Sequence, residues 1–161
     1  MAAVRKVLNN IEEYLVVPLV GVMVAIVILQ VIFRYIVKGS LPWSEELARY
    51  LMVWITFIGA SIGVKRGAHV GIEALILALP KKAQTIAEYL GIFISVIFCI
   101  VVLGASFGII NRQIINQQIS PAMRIPMWWA YAAIPGGTLL MTVRFIQALF
   151  KNKSAKAETR G

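Results

Sequence analysis

Four long stretches of the chain carry no charged side chain, and short clusters of basic and acidic residues separate them. These uncharged runs are Tyr14–Phe33, Tyr50–Val64, Tyr89–Asn111 and Ile125–Val143, with lengths of 20, 15, 23 and 19 residues. A helix needs about 20 residues at 1.5 Å each to cross a hydrocarbon core about 30 Å thick. The 15-residue run reaches that length when Leu47–Arg49 is added, because the long Arg49 side chain can extend to the membrane surface. The pattern predicts an all-α integral membrane protein with four transmembrane helices.

The charged and turn-forming residues place the ends of these helices. The predicted helices cover about 14–35, 47–64, 85–110 and 127–150, within one transmembrane domain of residues 1–150. Residues 1–13 are expected to form a short lead-in at the membrane surface, and 151–161 a basic, disordered tail. Ser44 is predicted to cap the second helix, with Glu45 and Glu46 in its first turn, where the helix dipole favours acids. The segment of about 70–79 is too short to span and is predicted to lie on the membrane as an interfacial helix.

Composition narrows the class of protein further. Of 161 residues, 60% are hydrophobic and 14% are charged, against about 45–50% and about 25% in soluble domains. The single cysteine, Cys99, cannot form an internal disulfide. We therefore exclude a soluble enzyme, a secreted disulfide-rich scaffold and a β-barrel.

The net charge of +9 suggests a nucleic-acid partner only until its distribution is considered. With the N-terminus in the cytoplasm, eleven basic residues fall on the inner side: Arg5, Lys6, Lys65, Arg66, Lys81, Lys82, Arg144, Lys151, Lys153, Lys156 and Arg160. Five fall on the outer side: Arg34, Lys38, Arg49, Arg112 and Arg124. This bias is the positive-inside signal of membrane proteins. It predicts that both termini are cytoplasmic and that the basic clusters meet phospholipids and not nucleic acid.

Residues that would carry chemistry are missing from the centres of the predicted helices. No ionisable side chain lies there, His69 is the only histidine, and no carboxylate cluster is spaced to hold a metal. Intramembrane ionisable residues usually mark transport or proton-relay sites. The sequence therefore predicts that this chain is not an enzyme, binds no cofactor or metal and has no substrate site of its own. Pro135-Gly136-Gly137 interrupts the fourth helix and is interpreted as a kink with close packing.

Small residues recur at helical spacing in two of the predicted helices, at Gly59 and Gly63 and again at Gly104 and Gly108. Glycines four apart let helices approach closely within a membrane. One interpretation is a contact between the second and third helices of this chain. The other is a docking face for a second membrane protein.

Charged residues gather at both predicted membrane boundaries. The outer group comprises Arg34, Trp43, Glu45, Glu46 and Arg49. We expect it to be either an ion-pair cluster that joins the first two helices or a contact with a partner. The inner group comprises Lys65, Arg66, His69, Lys81 and Lys82, and we expect it to anchor the chain to lipid headgroups, at about 1 kcal/mol per basic residue.

Several of these motifs together resemble a known family. Phe33-Arg34-Tyr35, Trp43-Ser44-Glu45-Glu46 with Ala48-Arg49, Gly59-Ala60 and His69-Val70-Gly71-Ile72-Glu73 are similar to the small, four-helix membrane subunit of tripartite ATP-independent periplasmic (TRAP) transporters. The string Arg144–Gln147 and the chain length also fit, whereas Glu73 stands where the family often has Asp. The likeness covers nearly the whole chain and is most specific in the Trp-Ser-Glu-Glu segment.

The resemblance implies a scaffold in the bacterial inner membrane. In that family a large membrane subunit holds the substrate and sodium sites, and a periplasmic binding protein delivers an organic acid such as a dicarboxylate or sialic acid. The small subunit packs against the large one, and the binding protein is expected to meet its outer face only transiently. Two other classes stay open from the residues alone. A self-assembling channel or carrier would form a defined oligomer, and the anchor subunit of a redox enzyme would bind a pigment.

Overall fold

A computed structural model describes residues 10–66 and 80–158, and every regular element in these ranges is helical. The elements are α1 (Ile11–Ile32), a π-helical turn (Phe33–Val37), α2 (Pro42–Lys65), α3 (Lys81–Ile115), α4 (Trp128–Tyr131) and α5 (Ala133–Glu158). The predicted all-α class is therefore confirmed. The interfacial segment of about 70–79 and His69 lie outside the described residues.

The first helix begins earlier than predicted and ends in a wider turn. It starts at Ile11, so Glu12 and Glu13 occupy its first turn and do not form a separate lead-in. At the other end the π-helical turn closes when the Gly39 N–H donates to the Phe33 carbonyl at 3.1 Å. Lys38 adopts the left-handed conformation there, with φ of 53°, and the chain turns toward α2.

The predicted cap of the second helix is wrong. The helix begins at Pro42, and Ser44 lies inside its first turn, where its Oγ donates to the Leu41 carbonyl at 2.7 Å. Proline favours the first helical position because its φ is already helical and it has no N–H to leave unpaired. This preference moves the start of α2 two residues ahead of Ser44.

The second half of the chain is more helical than predicted. α3 extends from Lys81 to Ile115, beyond both ends of the expected 85–110. The expected helix 127–150 divides at Ala132 into the single turn of α4 and the long α5. α5 continues to Glu158, where the sequence suggested a disordered tail.

The four long helices pack as an open row and not as a closed bundle. α1 contacts α2, α2 contacts α5, and α5 contacts α3. Among the described residues, α1 makes no backbone approach within 8 Å to α3 or α5, and α2 makes none to α3. The predicted glycine contact between the second and third helices is therefore wrong. A Cβ added at Gly59, Gly63, Gly104 or Gly108 would meet nothing within 4 Å.

A close helix contact lies instead between α2 and α5. A Cβ on Gly137 would stand 2.8 Å from the Phe57 carbonyl carbon and 2.9 Å from its oxygen, so only glycine fits there. Ala133, Pro135 and Thr138 of α5 are also buried. The close packing predicted for Pro135-Gly136-Gly137 is confirmed.

Three segments combine the length and hydropathy needed to cross a membrane: Ile11–Val37, Pro42–Lys65 and Tyr89–Ile115. Their mean hydropathies are 2.9, 1.6 and 2.7, and at most 17% of the residues in the most apolar stretch of each are buried inside the protein. Large apolar side chains such as Val17, Phe98 and Val101 are more than 60% exposed. This is the surface expected of helices surrounded by lipid or by other membrane helices.

Candidate functional site

Glu46 ties the start of α2 to the loop that precedes α4. Its Oε2 accepts hydrogen bonds from the backbone N–H groups of Ala122 and Met123, both at 2.9 Å. Its Oε1 accepts a short hydrogen bond from the Tyr50 hydroxyl, one helical turn along α2. Glu46 is only 7% exposed, so both carboxylate oxygens are satisfied inside the protein.

The loop is shaped to receive this carboxylate. The Ser120 N–H donates to the Ile125 carbonyl at 2.9 Å, and the Arg124 N–H donates to the Ser120 carbonyl at 3.1 Å. Arg124 has a positive φ of 54°, which turns the chain sharply and leaves the N–H groups of Ala122 and Met123 pointing at Glu46. Hydrogen bonds to an ionised acceptor are about twice as strong as neutral ones. Glu46 therefore fixes the loop to α2.

The rest of the outer group does not form an ion-pair clamp within this chain. Within the described part of the chain, no carboxylate oxygen lies within 4.0 Å of the guanidinium of Arg34 or Arg49. Glu45 instead accepts a hydrogen bond from Gln30 of α1 at 3.1 Å. Arg34 and Arg49 are exposed, and Trp43 is 38% exposed. The partner contact proposed for these residues stays a prediction.

A cleft of about 690 Å3 opens beside Glu46, at the end of the row that carries the outer group. One wall is a single face of α2, with Pro42, Glu45, Glu46, Arg49 and Val53. The opposite wall is a single face around α4 and the start of α5, with Met127, Ala130, Tyr131 and Ile134. Both walls follow the spacing of three or four residues that places side chains on one side of a helix.

A buried ion pair joins the two helices that flank α2. Arg144 of α5 donates from Nε to Glu12 Oε1 at 2.6 Å and from an Nη to Oε2 at 2.7 Å. The side chains of Arg144 and Glu12 are 8% and 1% exposed. The second Nη of Arg144 donates to Gln147 Oε1 at 2.8 Å. This fork geometry is the strongest form of a carboxylate–guanidinium contact.

The neighbouring carboxylate, Glu13, binds the end of α2. Its Oε1 lies 3.4 Å from Lys65 Nζ and 3.3 Å from an Nη of Arg66, and Lys65 also donates to Asn10 Oδ1 at 2.7 Å. Lys65 is 21% exposed and Arg66 is 67% exposed, and the lipid-headgroup contact expected of both residues stays a prediction. Lys81 and Lys82 begin α3, but their side chains lie outside the described ones, as does His69.

The sequence alone did not reveal these partners. The charge pattern predicts an inner positive charge at Arg144 and a surface lead-in that contains Glu12, but it does not pair the two residues. The pairing joins residues 132 positions apart, and spacing rules reach only three or four positions along a helix. The string Arg144–Gln147 was the one usable signal, because Arg and Gln three apart share a helix face. The backbone partners of Glu46 leave no signal in residue types at all.

Several hydroxyl groups deep in the helices are satisfied locally, whereas the buried Thr138 Oγ1 has no hydrogen-bond partner among the described residues. The hydroxyls of Ser61, Ser95, Ser106 and Thr142 each donate to a carbonyl three or four residues earlier in their own helix, at 2.7–2.8 Å. Such back-bonding is the usual way to place a hydroxyl inside an apolar helix. Within the described ranges, no group of three or more His, Cys, Asp or Glu side chains is placed to hold a metal.

Comparison with known proteins gives this architecture a family. Residues 23–153 match the sequence model of the DctQ component of tripartite ATP-independent periplasmic transporters. The chain is 32% identical over 151 residues to the sialic acid TRAP transporter small permease protein SiaQ of Vibrio cholerae, covering 91% of this chain and 83% of that protein. It is 38% identical over 113 residues to the C4-dicarboxylate TRAP transporter small permease protein DctQ of Rhodobacter capsulatus, covering 69% of this chain and 49% of that protein.

A third relative is much longer than this chain. The chain is 33% identical over 144 residues to the sialic acid TRAP transporter permease protein SiaT of Haemophilus influenzae, covering 89% of this chain but 23% of that protein. The chain thus spans about half of the Rhodobacter protein and about a quarter of the Haemophilus one. The family match extends over most of the chain, including α2, α3 and the cleft between α2 and α4. The chain therefore belongs to the DctQ component family and is a small membrane subunit of a TRAP transporter.

Proposed function

We propose that this chain is the scaffold subunit of a TRAP transporter and carries no substrate site itself. It assembles with the large membrane subunit for sodium-coupled uptake of an organic acid of the sialic acid or C4-dicarboxylate type. A periplasmic binding protein delivers the substrate and touches the outer face only transiently. The substrate type follows the names of the relatives, and the Haemophilus permease, in which a region similar to this chain is part of a longer protein, supports a permanent large partner.

The open row of helices is the observation that carries the scaffold role. A carrier must enclose its substrate between helices that can rearrange around it. In the described part of this chain the backbones of the long helices approach within 8 Å only between neighbours in the row, and α1 and α3 at the two ends make no such approach. The one described contact across a neighbour is the side-chain pair Glu12–Arg144, which joins α1 and α5. Such a row offers two broad apolar faces to partners or lipid and encloses no central path. It widens the part of the complex that is anchored in the bilayer.

The buried polar contacts also support a role for this chain as a part of the transporter that does not move during the transport cycle. Glu12–Arg144 and Glu46 with its loop are fully engaged within the chain. The hydroxyls of Ser61, Ser95, Ser106 and Thr142 bond to their own backbone. Buried ion pairs with good geometry favour one arrangement strongly, since separating the partners leaves uncompensated charges. A moving element would have to break these contacts in each cycle.

The charge distribution supports cytoplasmic termini and four crossings of the inner membrane. Glu12, Lys65 and Arg144 meet at one end of the row, the end that also carries most of the basic residues. The positive-inside tendency assigns that end to the cytoplasm. α5 then provides the fourth crossing, and Lys65 and Arg66 lie at the inner headgroups, where the sequence also predicts His69, Lys81 and Lys82.

Purification of the tagged chain from native membranes in mild detergent tests the proposal. Intact-mass analysis should find a large polytopic membrane protein in stoichiometric amount. An untagged strain and an unrelated tagged four-helix protein are the matched controls. Recovery of the chain alone as a stable homo-oligomer would reject the scaffold role and favour a self-assembling channel or carrier.

A further inference from the structure

We propose that the outer cleft between α2 and α4 binds a single phospholipid with a zwitterionic headgroup, of the phosphatidylethanolamine type. The cleft holds about 690 Å3, within the roughly 300–1,000 Å3 range of small-molecule sites. It is polar at its mouth and apolar further along α2, as an amphiphilic ligand requires.

The polar end matches a headgroup that carries both charges. Arg49 lines the cleft, is exposed and has no carboxylate within 4.0 Å among the described residues. A free guanidinium is well suited to a phosphate, since it donates two parallel hydrogen bonds. Glu45 lies one turn before Arg49 on the same wall and is also exposed. It accepts one hydrogen bond from Gln30 through Oε1, which leaves Oε2 for an ammonium group.

Glu46 does not compete for this ligand, although it lines the same wall. Its oxygens are occupied by Tyr50 and by the backbone of the 120–124 loop. The charges free to meet a ligand are therefore one positive and one negative, four residues apart. A purely anionic headgroup would bring its phosphate close to Glu45, whereas an aminophospholipid satisfies both groups.

The depth of the cleft matches one leaflet of a bilayer. From Pro42 to Val53 the wall covers twelve residues, a rise of about 16 Å along a helix. Half of a hydrocarbon core about 30 Å thick is about 15 Å. Val53, Ala130 and Ile134 line the deeper part, so an acyl chain lying there would meet apolar side chains. A soluble organic acid would leave that part unfilled.

Native mass spectrometry of the intact transporter complex tests this assignment. The complex is stripped of loosely held lipid and exposed to synthetic phosphatidylethanolamine or phosphatidylglycerol of distinct mass. We expect one phosphatidylethanolamine to be retained per copy of this chain, and about tenfold less on the Arg49→Gln complex. Arg112→Gln is the matched control, because Arg112 is an exposed cation at the same end of the row but lies outside the cleft.

Two further variants separate charge from shape. Ala130→Trp should remove the bound lipid by filling the apolar part of the cleft. Glu45→Gln should keep lipid binding but abolish the preference for phosphatidylethanolamine over phosphatidylglycerol. Equal lipid retention in wild type, Arg49→Gln and Ala130→Trp would overturn the proposal, and so would a cysteine at Ala130 that cross-links to the partner subunit in complexes free of lipid. The stoichiometry of the complex, read in the same spectra, reports on the scaffold role independently.

Discussion

Glu12 and Arg144 form a forked ion pair of 2.6 and 2.7 Å between α1 and α5, two helices that make no backbone approach within 8 Å of each other in the described chain. The long side chain of Arg144 reaches across the distance that α2 keeps between α1 and α5. Glu13 meanwhile binds Lys65 and Arg66 at the end of α2. Two adjacent carboxylates of α1 therefore hold two different helices, and this keeps three members of the row in register.

Removal of one partner of the buried pair should destabilise the protein strongly. We expect Glu12→Gln to lower stability by about 3 kcal/mol, the lower end of the range for breaking a buried ion pair. The loss arises because Arg144 keeps its charge in a site that is 8% exposed. The melting temperature of the purified complex measures it.

Glu13→Gln is the matched control for that experiment, because Glu13 carries the same charge in the same turn but is 36% exposed. Exposed ion pairs contribute little, so its melting temperature should stay close to wild type. The exchanged pair Glu12→Arg with Arg144→Glu should recover part of the lost stability. Equal effects of Glu12→Gln and Glu13→Gln would contradict the importance of the buried pair.

The contact of Gly137 with Phe57 predicts a steep dependence on side-chain size. Gly137→Ala places a methyl group within 3 Å of the Phe57 backbone, so α2 and α5 must separate. Overpacking of this kind typically costs about 1–3 kcal/mol. Gly136→Ala is the matched control, since its methyl group would meet only Trp54 at an ordinary 3.8 Å. If both variants melt at the same temperature, the two helices do not pack as closely as described.

Loss of the Glu46 carboxylate should release the loop before α4. In Glu46→Gln the amide group cannot offer two accepting oxygens to Tyr50, Ala122 and Met123. Hydrogen–deuterium exchange in a peptide covering residues 120–125 should therefore speed up at least tenfold. Glu45→Gln, which removes the neighbouring charge, should leave this exchange unchanged. Unaltered exchange in Glu46→Gln would show that the loop keeps its shape without the carboxylate.

Substitutions in the outer group should lower uptake through the amount of assembled complex. Glu46→Ala and Arg49→Ala should lower the maximal uptake rate by weakening assembly. Apparent substrate affinity should change little, because we propose that the substrate site lies on the large membrane subunit. Uptake assays in cells, paired with quantification of the assembled complex, measure both quantities. A normal amount of complex with altered apparent affinity would contradict the account.

The sequence predicted the helical class and the approximate helix positions, because runs of apolar residues follow directly from bilayer thickness. It also identified Glu46 and Arg49 as notable residues. It did not predict the order of the helices in the row, in which α5 lies between α2 and α3. The hydrophobic pattern within each helix would be the same if α3 and α5 had the opposite order. Of the two interpretations of Gly59, Gly63, Gly104 and Gly108, the contact between the second and third helices is wrong for the same reason, and the close contact is made by Gly137. The docking face for a second membrane protein stays a prediction. The hydrogen-bond partner of Glu12 and the backbone partners of Glu46 could be identified only from the three-dimensional structure, because they lie far away in the sequence.

Transport by the chain alone is the most direct test of the central claim. Two kinds of proteoliposome are prepared, one with only this chain and one with this chain and the large membrane subunit. An inward sodium gradient is then applied to both. Uptake of radiolabelled sialic acid and of a C4-dicarboxylate is then measured in the presence of the cognate binding protein. The account predicts uptake of the cognate substrate by the complete system and none by this chain alone. Sodium-driven uptake or ion conduction by the chain alone would contradict it.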